Sequence, residues 1–122
     1  MSGVKKDNRL RDPDIRQAFI KSNLDFFKKN SFVNEMGINS KSIADIASLD
    51  FANNVLYGFE IKSEVDSLAR LYKQMVQYTA FFNIVYVVAH FKHTKAILDL
   101  IEHATFARNV GLIEVSQDLK FE

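Results

Sequence analysis

The chain has 122 residues, 48% hydrophobic and 25% charged, with a formal net charge of +1 and no cysteine. That is one globular domain by size and composition; it excludes disulfides and thiolate metal sites and fits a reducing, cytoplasmic setting. No apolar run approaches the roughly 18–20 residues that a membrane helix needs, so no membrane partner is expected.

Residues 1–11 are polar and basic without an apolar h-region, which argues against a secretory signal. They read as a flexible basic arm, and residues 1–41 hold nine Lys and Arg against five Asp and Glu. Such an arm can contact phosphates or simply be solvated. Asp12-Pro13-Asp14 starts a helix: Asp12 can cap it, Pro13 suits the first helical position, and Asp14 favours the helix dipole. Ile15, Ala18, Phe19, Ser22 and Phe26 follow helical spacing, and the helix is expected to run to about Lys29. Phe32–Met36 predicts a short strand. Ser42–Leu49 predicts a second, with Ala44 and Ile46 on one face and Ile43, Asp45 and Ala47 on the other. Asp50–Asn54 is a turn. Val55–Lys62 is a third strand whose apolar face carries Val55, Tyr57, Phe59 and Ile61. Leu68, Leu71, Met75, Tyr78 and Phe82 then make an amphipathic helix, capped by Asp66 or Ser67. Asn83–Ala89 reads as a buried fourth strand, Thr94 to about His103 as a third helix, Val110–Val115 as a last strand, and 117–122 as a polar tail. The order α-β-β-β-α-β-α-β predicts one α/β domain over residues 12–116. Its mixed sheet is antiparallel at the start and parallel through right-handed crossovers at the end, with helices on its faces.

The chemistry lies in Gly58-Phe59-Glu60-Ile61-Lys62-Ser63. Glu60 and Lys62 share the face opposite Phe59 and Ile61. A hairpin about Ala52–Asn53 sets Asp45 opposite Glu60 and Ile43 opposite Lys62, and directly opposed Cβ atoms lie roughly 4.5–5.5 Å apart. Two such carboxylates repel unless a cation neutralises them, and Mg²⁺ prefers one or two carboxylates plus waters and a phosphate. Lys62 beside them favours ionised carboxylates and can steer or help deprotonate an attacking water. The same spacing also fits a charged cross-strand patch on a solvated face. Gln74, one turn from Arg70 and followed by Gln77, can hydrogen-bond a nucleophilic water or a phosphate, or belong to an exposed helix edge. Glu35 can add a water-bridged metal contact or be a surface side chain. His90, His93 and His103 would need a further converging ligand for zinc, and none is evident. Walker-type, GxSxG and Cys–His signatures are absent.

With Asp45, Glu60-Ile61-Lys62 and Gln74 in this order, the chain resembles the PD-(D/E)XK, or restriction-endonuclease-like, nuclease superfamily. That family's α-β-β-β-α-β core carries the Asp on the second strand, the (D/E)xK on the third and a polar residue on the following helix. The runs Ala44-Asp45-Ile46-Ala47, Gly58 to Ser63 and Asp66-Ser67-Leu68-Ala69-Arg70-Leu71, with Gln74 and Tyr78, resemble a group of small bacterial and phage proteins within it. The resemblance covers about residues 12–115. It implies that Asp45, Glu60 and the backbone carbonyl of Ile61 bind Mg²⁺ or Mn²⁺. It implies that Lys62 positions the water and stabilises charge on the phosphate, that Gln74 reaches the site from its helix, and that Glu35 joins as an accessory acid. The implied activity is metal-dependent hydrolysis of phosphodiester bonds in DNA. The chain departs from the pattern in three places. Ala44 stands where the family name has Pro, Lys41 is a loose match for a basic residue before the Asp, and Ala107-Arg108-Asn109-Val110-Gly111 stands for a Trp-rich segment. The near-neutral charge and the lack of an appended DNA-binding domain keep an alternative open. In it the fold is an inactive module that binds a protein, such as a phage-encoded inhibitor of a host system, or a nucleic acid that it does not cleave; a homo-oligomer is a further possible assembly. Fold alone does not decide between these.

Overall fold

A computed structural model describes residues 7–39, 42–104 and 107–122; the expectations resting on residues 1–6 and on Lys41 lie outside the described residues. Helix α1 (Asp12–Ser22) buries Ile15 and Phe19. Its N-cap is Arg11 rather than Asp12, and Asp14 Oδ2 accepts from the Arg11 N–H at 2.9 Å. Asp12 is inside the helix because its carboxylate grips Arg16 one turn on.

The single helix expected to reach Lys29 is two, α1 and α2 (Leu24–Lys29). Asn23 causes the break: its Nδ2 donates to Phe19 O at 2.9 Å, so its own N–H closes on Ile20 O instead. A side-chain amide that competes for a helix carbonyl ends the helix there. The break lets Phe27 of α2 pack edge-on against Phe19, with ring centroids 5.9 Å apart.

Five strands form one sheet in the order β1 (Ser31–Asn39), β2 (Ser42–Asp50), β3 (Val55–Lys62), β4 (Ile84–His90), β5 (Val110–Val115). β1, β2 and β3 pair antiparallel, whereas β3, β4 and β5 pair parallel, as the short turns and helical connections require. The hairpin keeps the expected register from Asp50↔Val55 to Ile46↔Phe59. Asp50 closes its turn by accepting from the N–H and Nδ2 of Asn53, at 3.2 and 2.7 Å.

Helices α3 (Leu71–Phe81) and α4 (Thr94–His103) cover one sheet face, burying Met75, Tyr78 and Ile97 against Val85 and Val87. Helices α1 and α2 cover the other, burying Ile15, Phe19 and Phe27 against Ile46, Phe59, Ile61 and Val88. α3 starts at Leu71, later than the apolar stripe implies, because the residues before it are held in turns. Asp66 takes the Ser63 N–H at 2.7 Å and Ser67 Oγ takes that of Ala69 at 3.0 Å, so neither caps the helix. Residues 117–122 return beside β5: Phe121 bridges Val115, Glu122 and Glu114 exchange backbone hydrogen bonds, and the Phe121 ring sits 5.5 Å from Phe19. Among the described residues, no helix is long and apolar enough to cross a membrane.

Candidate active site

The β2–β3 ladder ends at Ile46↔Phe59. In the next row, where the register sets Asp45 across from Glu60, the backbone of Asp45 turns to other partners. Its N–H donates to Tyr78 Oη at 3.0 Å and its carbonyl accepts from Arg16 Nη1 at 3.0 Å. Its carboxylate reaches across, with Oδ2 accepting from the Ile61 N–H at 2.8 Å. Side-chain alternation slips at the same point. Ala44 and Ala47 both join the α3/α4 core while Ile46 joins the α1/α2 core, which corrects the expected pairing of Ala44 with Ile46 on one face. On β1, Glu35 falls between the pairs Asn34↔Ile46 and Met36↔Ala44 and has φ +59°. A non-glycine residue rarely adopts that left-handed backbone. Two neighbouring strands therefore deform in one row, and the sheet opens at Asp45. The expected opposition of Ile43 to Lys62 is not made: Ile43 is 58% exposed and Lys62 only 7%.

Glu60 is 4% exposed, so the face it shares with Lys62 lies beneath α3 and is not solvated. Glu60 Oε1 accepts from Tyr78 Oη at 2.5 Å, and Lys62 Nζ lies 3.4 Å from Oε2. Burial and the Glu60 charge push the Tyr78 phenol far above its ordinary pKa, so it stays protonated and donates to Glu60. Asp45 is raised from 3.8 to about 7, first by burial and then by repulsion from Glu60, which together outweigh the Ile61 N–H and Arg16. Arg16 comes from α1 and is 15% exposed. It grips Asp12 through Nε and Nη2 at 2.8 and 3.0 Å, Glu35 through Nη1 at 3.0 Å, and Asp45 Oδ1 through Nη2 at 3.3 Å. Burial alone would lower its pKa; Asp12, Asp45 and Glu35 hold it above the ordinary value.

The N–H and C=O of one residue in an extended strand point to the same strand edge, so the Ile61 carbonyl faces the same side as the N–H that meets Asp45. Two carboxylates and a carbonyl make an all-oxygen donor set, which suits a hard divalent cation. Each carboxylate oxygen meets a protein donor and keeps a second lone pair. Gln74 sits one turn before Tyr78 on the same face of α3, where its Oε1 is buried without a hydrogen-bond partner among the described residues. It lines a small cleft of about 80 Å³ with Arg70, Lys73 and Gln77. The Glu35 side chain is 61% exposed and lines a cleft of about 540 Å³ with Asp12, Arg16 and Asp45. No group of three or more His, Cys, Asp or Glu among the described residues is arranged to hold a metal. Asp45 and Glu60 would offer a cation two side-chain ligands, and water or substrate would have to complete its shell, an arrangement that Mg²⁺ accepts.

The imidazoles brace the backbone. His90 Nε2 meets Gln117 Oε1 at 2.8 Å while Nδ1 accepts from the Lys92 N–H, and His93 Nε2 meets Ser63 O at 2.9 Å. His103 Nδ1 meets Asp99 O at 2.8 Å.

Two residues of this site carry contacts that the sequence did not announce, Tyr78, which stands in the family-like run without a role, and Arg16. Tyr78 counted as one more apolar stripe position, although a tyrosine among aliphatics signals a hydroxyl that needs a buried partner. Arg16 offered only its spacing of four from Asp12. A family model described as Bacteriophage P4 protein cII matches residues 5–122 of the chain. No curated protein and no solved structure matches it.

Proposed function

This chain belongs to the family of bacteriophage P4 protein cII, and we propose that it is a metal-dependent nuclease with a restriction-endonuclease-like core, hydrolysing phosphodiester bonds of DNA in the cytoplasm with Mg²⁺ or Mn²⁺. The observation that carries this reading is the Asp45–Glu60 row at the opened hairpin, with Glu60 buried, Asp45 half-buried and Lys62 beside Glu60. Holding two like charges side by side away from bulk water is costly, and a carboxyl raised as that of Asp45 is marks a candidate functional site. A bound divalent cation supplies neutralising charge and Lewis acidity toward a phosphate oxygen. The chain does the rest. Tyr78 orients Glu60, the Ile61 N–H and Arg16 orient Asp45, Lys62 holds positive charge beside the reacting phosphate, and Gln74 offers an acceptor one turn away for the water. Glu35 serves as an accessory acid through the open cleft.

Supercoiled plasmid incubated with the protein should be nicked in Mg²⁺ or Mn²⁺ and left intact in EDTA. Glu60→Gln and Lys62→Met should lose about a hundred-fold or more of that rate with unchanged circular dichroism. Failure of the folded protein to cut any nucleic acid under either metal sinks the proposal.

One observation favours a second reading. All four carboxylate oxygens of Asp45 and Glu60 already meet Arg16, Ile61, Tyr78 or Lys62, a network complete without a metal. The fold would then serve as a protein-binding module or a non-cleaving nucleic-acid binder. The module would show no Mn²⁺ site dependent on Asp45. The nucleic-acid binder would show affinity that falls steeply with salt and ignores Lys62→Ala.

A further inference from the structure

Arg16 is the one side chain that ties α1 to the opened row of the sheet through charge. Its guanidinium is shared among three carboxylates, of Asp12, Glu35 and Asp45, and it also meets the Asp45 carbonyl at 3.0 Å and Asn34 Oδ1 at 3.4 Å. The grip is uneven. Asp12 holds it side-on through two nitrogens, at 2.8 and 3.0 Å, whereas the Asp45 contact at 3.3 Å is the longest of its charged contacts and uses a nitrogen that Asp12 already holds. Losing Oδ1 would leave the guanidinium seated on Asp12 and Glu35.

The charge around it is unbalanced. Among the described residues, the ion-pair partners of Asp12, Glu35, Asp45 and Glu60 are Arg16 and Lys62, which leaves two negative charges in excess within this set when all are ionised. That is the charge of one divalent cation, and the cleft of about 540 Å³ beside Arg16 opens onto Asp45. A guanidinium on a cleft wall can instead receive a phosphate. Here the three surrounding carboxylates would repel that anion, so an anion-receptor role is the weaker assignment.

We propose that Arg16 is the resident counter-cation of Asp45, a positioning residue that a divalent cation displaces from Asp45 Oδ1 while Asp12 keeps the guanidinium in place. The proposal rests on the metal-site reading above. It gives Arg16 two effects of opposite sign: it holds Asp45 in the row before the metal arrives, and it competes with the metal for an oxygen.

Calorimetric titration of the full chain with MnCl₂ at fixed pH tests this. Arg16→Gln should bind Mn²⁺ about five-fold more tightly than the unsubstituted chain, the scale set by one solvent-reached ion pair. Asp45→Asn should abolish the site. Arg16→Lys keeps a cation near Asp12 but loses the planar fork that bridges to Asp45, so its affinity should fall between the two; it serves also if Arg16→Gln fails to fold. Equal or weaker Mn²⁺ binding by the Arg16 variants, with the parent chain binding normally, overturns the proposal and leaves the metal site standing. Mn²⁺ binding by Arg16→Gln alone supports the proposal and removes the metal from the native protein's function. Absence of binding in every chain overturns both.

Discussion

Asp45 concentrates the opposing forces of the site. Its carboxylate receives an N–H and a guanidinium, yet burial and Glu60 still raise its pKa from 3.8 to about 7. The folded state therefore binds this proton more tightly than the unfolded chain does. The group's contribution to stability is full below about pH 4 and is lost as pH rises through about 7. Urea unfolding should show the unsubstituted chain losing stability relative to Asp45→Asn between about pH 4 and about pH 7, with the Asn variant flatter across that window. A difference that is constant with pH would show that Asp45 titrates at its ordinary value.

At the scale of elements, the second half of the third strand, residues 58–62, is buried on both faces. Phe59 and Ile61 join the α1/α2 core, while on the other face Gly58 meets Phe82, Glu60 meets Tyr78 and Lys62 is buried beside Glu60. A Cβ on Gly58 would run into the Phe82 ring, a large and buried group just past the end of α3. Gly58→Ala should therefore cost about 1–3 kcal/mol in denaturant unfolding through overpacking. Because Phe82 follows α3 and Tyr78 lies one turn earlier, a shift there should also disturb the Tyr78–Glu60 contact. A substitution that leaves stability unchanged would mean that Phe82 moves aside freely. Asn23 acts on the same scale: one side-chain hydrogen bond to Phe19 O divides a predicted single helix and re-aims its second half.

Across the whole molecule, Leu10 and residues 117–122 come together on the α1/α2 side. Leu10 exchanges hydrogen bonds with Glu64, whose Oε1 also takes Gln117 Nε2 at 3.1 Å, and Phe121 packs against Phe19. The segment read as a polar tail thus closes part of a core. Phe121→Ala should lower the unfolding free energy by about 1–3 kcal/mol, less than a fully buried Phe, because its side chain is only half-buried. A neutral result by thermal or urea denaturation would show that residues 117–122 are dispensable to the fold. Joining Leu10 and Gln117 to Glu64 also anchors the stretch that follows Lys62, so the end of β3 is fixed from three directions.

Much of this arrangement was legible in the chain alone, and for local reasons. Asp50 and Asn53 dictate the turn, the turn dictates the hairpin register, and the register brings Asp45 to Glu60. The spans of β3, α4 and β5 follow from alternation and helical spacing, which are properties of neighbouring residues. The rest depended on contacts between residues distant in sequence. Arg16 meets Asp45 across 29 positions and Tyr78 meets it across 33, so no local pattern announces either. The slip of alternation at Asp45 was equally hidden, because it arises where those two side chains take over the backbone groups that a regular ladder would use. The sequence by itself determined which charged residues share a row. Tertiary structure alone decided that the row is covered at Glu60 by Tyr78 of α3, opened at Asp45 and supplied with a counter-charge from α1, since burial and charge pairing are set by what packs against a strand and not by the strand itself.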